Sequence, residues 1–150
     1  MSEQKQNNQN FIKVLLIEDD FYISQLYEDV FSLEPGYKLY KIDEIKDPNE
    51  AIGKIREINP DVILLDLVLP LKSGEGTYVL DKELGFEILE RLKKDKELSK
   101  IPVIVVSNLG GFLEKERAKV DGADFYLVKS EIFPYQIIST IEKVLATKMP

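Results

Sequence analysis

The 150-residue sequence contains no cysteine and no histidine, and it has no long apolar run. Without these two residue types the chain cannot form disulfides, thiolate nucleophiles, imidazole bases or zinc sites of the cysteine and histidine type. Chemistry on this chain therefore depends on carboxylates, hydroxyls, lysine or a metal ion that prefers oxygen ligands. The apolar runs also fall well short of the roughly 20 residues that span a bilayer, so we expect no membrane segment.

Basic residues are in the minority, with 20 Lys and Arg against 27 Asp and Glu, for a net charge of -7. Nucleic acids and anionic membranes bind clustered Lys and Arg, so we expect neither as a direct partner. The length suits one domain. Residues 1–10 are polar, rich in Gln and Asn, and without the apolar core of a signal peptide. We predict a flexible tail over 1–10 and a cytoplasmic domain over 11–150.

Short apolar runs alternate with amphipathic stretches along the chain. Each run is β-branched or aromatic and unbroken by polar residues, which is typical of strands buried on both faces of a parallel sheet. These runs are residues 14–17, 62–65, 103–106 and 125–128. Residues 37–42 are half polar and predict an edge strand. Strands alternating with helices predict a doubly wound α/β domain.

Helical patterns fill the intervals between these strands. The first has an apolar stripe of Ile23, Leu26, Tyr27, Val30 and Phe31 and is closed by Pro35-Gly36. The second begins at Asp47-Pro48, where an acidic cap precedes a proline of the first turn. Three more patterns cover residues 86–92, 114–120 and 134–146. Five helices are therefore expected.

Polar side chains follow each apolar run directly. Because ligands of open α/β sheets bind outside the carboxyl ends of the strands, we expect these side chains to meet at one edge. They are Glu18, Asp19 and Asp20 after the first run, Asp66 after the second, Ser107 and Asn108 after the third, and Lys129 after the fourth.

Acids gathered at one edge repel each other unless a cation balances them. Mg²⁺ suits such a pocket because it binds a few protein oxygens, water and phosphate oxygens. Lys129 adds a positive charge and Ser107 a hydrogen-bond donor for a phosphoryl group, while Asp66 is placed to act as the nucleophile. Each residue alone also has a structural explanation, as a helix cap, a surface lysine or a turn serine. Asp66 has the weakest one, because apolar residues flank it.

As an ordered set, four segments resemble the receiver domain of two-component response regulators. They are residues 14–20, 60–70, 102–108 and 122–129, within a similarity that runs from about 13 to 146. The resemblance implies a flavodoxin-like fold, in which a five-stranded parallel sheet of order 2-1-3-4-5 has helices on both faces.

The resemblance also implies a role for each residue of the pocket. Asp66 would accept a phosphoryl group from a histidine kinase or a phosphotransfer protein, and Ser107 and Lys129 would contact that group. Mg²⁺ would bind Asp19, Asp66, the backbone carbonyl of Val68 and, through water, Glu18.

Tyr126 matches the switch aromatic of the family, which changes rotamer when the hydroxyl residue moves. An ordinary half-buried strand tyrosine is an equal alternative for this residue.

A signalling module rather than an enzyme is therefore expected, with output through a downstream protein partner and a possible homodimer through the last two helices. One alternative is a receiver-like scaffold that is never phosphorylated and serves protein contacts. A third possibility, a magnesium-dependent phosphohydrolase, is disfavoured because such enzymes need an acid two residues after the nucleophile, where this chain has Val68.

Three features depart from the common pattern of the family. Ser130 replaces the usual proline after the lysine, and a cis peptide bond before serine would cost about 3 kcal/mol. Asn108 is bulkier than the usual small residue and either narrows access to Asp66 or donates to the phosphoryl group. An extended loop at about 71–84 is interpreted as a lid or partner-binding arm through Tyr78, Val79 and Leu80, or as a flexible excursion.

Overall fold

The computed structural model describes residues 10–45, 47–73, 77–81 and 83–148, and these ranges contain seven strands and five α-helices. Short 3₁₀ turns lie at Leu98–Lys100 and Lys129–Glu131. The elements are β1 (Ile12–Ile17), α1 (Phe21–Ser32), β2 (Tyr37–Ile42), α2 (Pro48–Ile58), β3 (Val62–Leu65), β4 (Leu69–Ser73), β5 (Thr77–Asp81), α3 (Leu84–Lys94), β6 (Val103–Ser107), α4 (Phe112–Val120), β7 (Phe125–Val128) and α5 (Gln136–Lys148). No helix among the described residues has the length and apolar character needed to cross a bilayer.

The main sheet has five parallel strands in the order β2-β1-β3-β6-β7. Counted along the chain within this sheet, the order is 2-1-3-4-5, as predicted, and β2 is the predicted edge strand. The prediction that β7 is buried on both faces is wrong. It is the other edge strand, and Phe125 at its start is 43% exposed.

Helices cover both faces of the sheet, as expected. On one face α2, α3 and α4 pack over Leu15, Ile63 and Val105. On the other face α1 and α5 pack over the neighbouring residues of the same strands, such as Leu16 and Leu64. Since successive strand residues point to opposite faces, an unbroken apolar run serves both layers at once.

Capping residues in the sequence determine where the first two helices begin. Asp20 caps α1, and Asp47 caps α2 by accepting a hydrogen bond from the backbone N–H of Asn49. The apolar stripe predicted for α1 is corrected at one residue. Leu26 is 42% exposed, whereas Ser24 is buried, because the buried side of α1 runs through Ser24, Tyr27 and Phe31.

The segment predicted as an extended loop at about 71–84 contains two strands and the start of α3. β4 and β5 pair antiparallel, with Pro70 opposite Leu80, and form a separate two-stranded sheet. Two β-prone stretches separated by glycines are typical of a hairpin, which explains the difference. The side chains of Tyr78, Val79 and Leu80 lie outside the described part of the structure, as do residues 1–9 of the predicted tail.

Candidate functional site

A cavity of about 320 Å³ lies at the carboxyl edge of the main sheet. Its lining comes from the segments that follow β1, β3, β6 and β7, and the structure brings together there every polar residue that the sequence placed at this edge. The lining residues are Glu18, Asp19, Asp20, Asp66, Val68, Ser107, Asn108, Leu109 and Lys129.

Three carboxylates are close enough in this cavity to share one cation. Glu18, Asp19 and Asp66 each offer an oxygen, and these oxygens all lie within 4.8 Å of one another. Glu18 and Asp66 are buried, at 2% and 6% exposure, while Asp19 is half-buried. An oxygen-only donor set of this kind fits a hard divalent cation such as Mg²⁺.

Lys129 is the cation that the protein itself places against these acids. Its Nζ lies 2.5 Å from Oε2 of Glu18 and 2.9 Å from Oδ2 of Asp66. Burial by itself lowers the pKa of Lys129, but the charges of Asp66 and Glu18 outweigh it and hold the pKa above its ordinary value. Lys129 therefore stays protonated and carries a fixed charge.

Two carboxyl groups of the cavity, those of Glu18 and Asp19, are harder to ionise than free ones. Burial, followed by the charge of Asp66, raises the pKa of Glu18 from 4.5 to about 7, although Lys129 partly offsets the rise. Burial also raises the pKa of Asp19. A second positive charge in the cavity would relieve both effects, which is what a bound divalent cation supplies.

Backbone contacts hold Asp66 at the end of β3. Its N–H donates to the carbonyl of Ile17 at 3.0 Å, and its Oδ1 accepts from the N–H of Val68 at 3.2 Å. The N–H of Gly85, in the first turn of α3, donates to the carbonyl of Leu67 at 3.1 Å. The start of α3 therefore packs directly against the chain that follows Asp66.

Asp20 lines the cavity but has a structural explanation of its own. Its Oδ1 accepts from the N–H of Ile23 at 3.0 Å, which caps α1. Its backbone N–H donates to Oε1 of Glu18 at 3.2 Å and orients that carboxylate. Of the acids after β1, Asp20 is thus the helix cap, whereas Glu18 and Asp19 join the cluster.

A chain of contacts leads from Ser107 to Tyr126 through Leu109. Ser107 is fully buried, and its Oγ accepts from the N–H of Leu109 at 3.3 Å. The carbonyl of Leu109 in turn accepts from the hydroxyl of Tyr126. Burial raises the pKa of Tyr126 to about 12, so the hydroxyl keeps its proton and donates. Sequence reasoning missed Leu109, whose contribution is a backbone carbonyl that no side-chain pattern reveals.

Two of the residues that depart from the common family pattern, Ser130 and Asn108, lie at this edge of the sheet and have a defined geometry. Lys129 and Ser130 open a 3₁₀ turn, and the peptide bond between them is trans, since the described residues contain no cis peptide bond. Asn108 is exposed and lines the cavity beside Ser107. It therefore borders the opening above Asp66.

The fold, together with the polar residues gathered at the carboxyl edge of the main sheet, defines a class of protein. The family model for the response regulator receiver domain matches residues 14–142. The chain belongs to this family. Receiver domains are signalling modules of two-component systems rather than classical enzymes, and they bind Mg²⁺ at an acidic pocket.

Relatives of known name agree with this assignment. The chain is 31% identical over 132 residues to the polar-differentiation response regulator DivK of Brucella ovis, covering 88% of this chain and 94% of DivK. It is 32% identical over 136 residues to the DNA-binding dual master transcriptional regulator RpaA of Synechocystis, covering 89% of this chain and 48% of RpaA. The chain thus spans about half or less of the length of several relatives that it matches.

A solved structure has the same fold. The Mn²⁺-bound form of the response regulator Rcp1 superposes with a TM-score of 0.66 at 25% identity, covering 87% of this chain and 91% of Rcp1.

Proposed function

We propose that this receiver domain accepts a phosphoryl group on Asp66 with Mg²⁺ bound beside it, and thereby switches its affinity for a protein partner. The observation that carries the proposal is that Asp66 belongs to an acidic cluster able to hold a divalent cation and also contacts the Lys129 ammonium. A nucleophilic carboxylate flanked by two kinds of positive charge is what transfer to a carboxylate requires, because the charges stabilise the transferring group.

Each residue of this site would have its own role. Asp19 and Asp66 would hold the cation with the backbone carbonyl of Val68, and Glu18 would contact it through water. Bound Mg²⁺ supplies charge neutralisation and orientation for the phosphate oxygens. The solved structure of Rcp1 is a Mn²⁺-bound form, which favours a divalent cation in a protein of this fold. Lys129, freed from part of its contact with Asp66, would pair with a phosphoryl oxygen.

Switching would pass through the contacts from Ser107 to Tyr126. A phosphoryl group on Asp66 offers strong acceptor oxygens, and Ser107 lines the same cavity. A shift of Ser107 toward that group would change its contact with Leu109, whose carbonyl holds the Tyr126 hydroxyl. The new charge would then bias an existing equilibrium of this side of the domain.

The donor of the phosphoryl group would be a histidine kinase or a phosphotransfer protein, and a downstream protein would bind the switched surface. α4 presents Phe112 and Leu113 to solvent at 74% and 77% exposure, beside the edge strand that carries Tyr126. Exposed apolar side chains of this size support a protein contact there. Dimerisation through the last two helices stays a prediction.

Mass spectrometry after incubation with acetyl phosphate and Mg²⁺ tests the chemistry. We expect the gain of one phosphoryl group in the wild-type chain, no gain without Mg²⁺ and no gain in Asp66→Asn. Asp20→Asn is the matched control, since asparagine caps a helix as well as aspartate does, and it should still gain the group. A wild-type chain that gains nothing, or an Asp66→Asn chain that gains as much, would favour the unphosphorylated scaffold.

Amide NMR shifts of the same samples test the switch. Phosphorylation should move the signals of Leu109 and Tyr126, and Tyr126→Phe should reduce the change at Leu109. Phosphorylated protein whose Leu109 and Tyr126 signals stay in place would contradict the switch while leaving the phosphorylation intact.

A further inference from the structure

A second, smaller cavity lies between the start of α1 and the chain that leaves β2. It has a volume of about 200 Å³ and shares one lining residue, Asp19, with the acidic cavity. Its lining is Asp19, Phe21, Ser24, Gln25, Lys41 and Asp43. The proposed phosphoryl transfer makes no use of the last five.

Ser24 is the feature of this cavity that calls for a ligand. Its side chain is 4% exposed, and among the described residues its Oγ is the buried side-chain polar atom without a hydrogen-bond partner. A buried hydroxyl without a partner is unfavourable, because it has given up its hydrogen bonds to water and gained none in return. A group that enters the cavity and donates to Oγ would remove this cost.

The charges of the lining favour a cation. Asp19 and Asp43 both bring carboxylates, whereas the only basic lining residue, Lys41, has its Nζ 3.0 Å from Oε2 of Glu28. The Glu28 carboxylate therefore balances the charge of Lys41. Gln25 donates from Nε2 to Asp29 at 3.1 Å, and its carbonyl oxygen remains an acceptor. The cavity is thus lined with acceptors and has an excess of negative charge.

An organic cation fits this lining better than a metal ion does. Among the described residues, three acidic groups have oxygens within 4.8 Å of one another, and they are Glu18, Asp19 and Asp66. Asp43 does not belong to this cluster. A primary ammonium group carries three N–H donors and tolerates the looser spacing of hydrogen bonds. Phe21 is 73% exposed at the opening and offers a ring face for the attached alkyl chain or for the cation.

We infer that this cavity binds a primary alkylammonium group, which donates to Asp19, Asp43 and the hydroxyl of Ser24. The group comes either from a free small amine or from a lysine side chain of another protein. Because Mg²⁺ and the ammonium share Asp19, each weakens the binding of the other through repulsion of like charges.

Titration of the full chain with n-butylammonium chloride, followed by amide NMR, tests the inference. We expect saturable shifts at Ser24, Gln25 and Asp43, and weaker binding when Mg²⁺ is present. Tetramethylammonium has the same charge but no N–H donor, so it should bind more weakly. Equal shifts with tetramethylammonium, or shifts that never saturate, would overturn the proposal.

Two variants connect the binding to its proposed contacts. Ser24→Ala should weaken n-butylammonium binding about fivefold, the change expected for one hydrogen bond, while the thermal midpoint stays equal or rises. Asp43→Asn should weaken it by more, because a charged partner is lost. Glu116→Gln, an exposed acid of α4, should bind as the wild type does. Ser24→Ala with unchanged affinity would show that the buried hydroxyl takes no part.

The blocked lysine Nα-acetyl-lysine-N-methylamide distinguishes the two sources. Tighter binding of this probe than of n-butylammonium indicates a lysine of a partner protein, and weaker binding indicates a free amine. If neither probe binds, the proposal fails, whereas phosphorylation of Asp66 is measured independently and would be unaffected.

Discussion

Asp66 owes its position to two contacts, the Lys129 ammonium and the close approach of α3 at Gly85. Lys129 neutralises the buried carboxylate, and without it Asp66 and Glu18 would face each other as uncompensated buried charges. Gly85 lets the first turn of α3 lie against the backbone that follows Asp66. At the residue scale the site therefore depends on the positive charge of Lys129 and on the absence of a side chain at Gly85.

Gly85→Ala should destabilise the domain. A Cβ at this position would lie 2.6 Å from the carbonyl oxygens of Asp66 and Leu67, which are backbone atoms that cannot move aside freely. Overpacking of this kind costs about 1–3 kcal/mol. Urea unfolding of the variant and the wild type measures the loss.

Gly53→Ala is the matched control, because Gly53 is exposed inside α2 and a Cβ there meets no atom within 4 Å. Alanine is the better helix former, so this variant should gain about 0.5–1 kcal/mol. A Gly85→Ala chain as stable as the wild type would show that α3 does not pack as tightly against the Asp66 segment as described.

At the scale of elements, the β4–β5 hairpin stands apart from the main sheet. Its strands pair with each other, and no strand of the five-stranded sheet pairs with them in the described part of the chain. Its base enters the core through Leu69, which is 2% exposed. The hairpin is thus an addition between β3 and α3 rather than a part of the layered fold.

A shortened hairpin should leave the fold intact. Replacing residues 72–78 with Asn-Gly joins the paired residues Leu71 and Val79 by a two-residue turn and keeps Leu69 in place. We expect the same circular dichroism spectrum and a free energy of unfolding within about 0.5 kcal/mol of the wild type. Loss of cooperative unfolding would show that the hairpin supports the sheet.

The same shortened chain tests the interpretation of this segment as a lid or a partner-binding arm. A lid would change the rate of phosphorylation by acetyl phosphate, and an arm would change partner binding. If both stay as in the wild type, the segment has neither role.

At the scale of the whole molecule, the acidic cluster links stability to pH and to Mg²⁺. The folded state holds a proton on Glu18 up to about pH 7, whereas the unfolded chain releases it near 4.5. The metal-free protein therefore loses the contribution of this proton to stability as the pH rises from about 4.5 to about 7. Mg²⁺ requires the ionised carboxylates, so we expect its proposed binding to improve over the same window.

Thermal unfolding with and without Mg²⁺ at pH 6 and pH 8 checks this linkage. Mg²⁺ should raise the thermal midpoint at both values and more at pH 8, where Glu18 needs to release no proton. At a Mg²⁺ concentration 100 times its Kd the stabilisation is about 2.7 kcal/mol. Glu18→Gln should reduce the difference between the two pH values, and an equal effect of Mg²⁺ at both in the wild type would contradict the role of Glu18.

The amino-acid sequence by itself determined the strand and helix alternation and the residues at the carboxyl edge. Those features are local, because a buried strand is visible as an apolar run, and three of these runs are followed directly by Asp66, Ser107 or Lys129. The absence of cysteine and histidine likewise restricted the chemistry to oxygen ligands and lysine. For these reasons the residues that meet at the carboxyl edge could be predicted from the sequence.

Only the tertiary structure decided which of those side chains touch. That Lys129 contacts Glu18 as well as Asp66, and that Asp20 caps α1, depends on distances between separate strands and on helix geometry. The carbonyl of Leu109 and the buried hydroxyl of Ser24 carry no sequence signal of their own. Such contacts follow from sheet order, register and packing, which bring together residues far apart in the chain, and no local pattern encodes them.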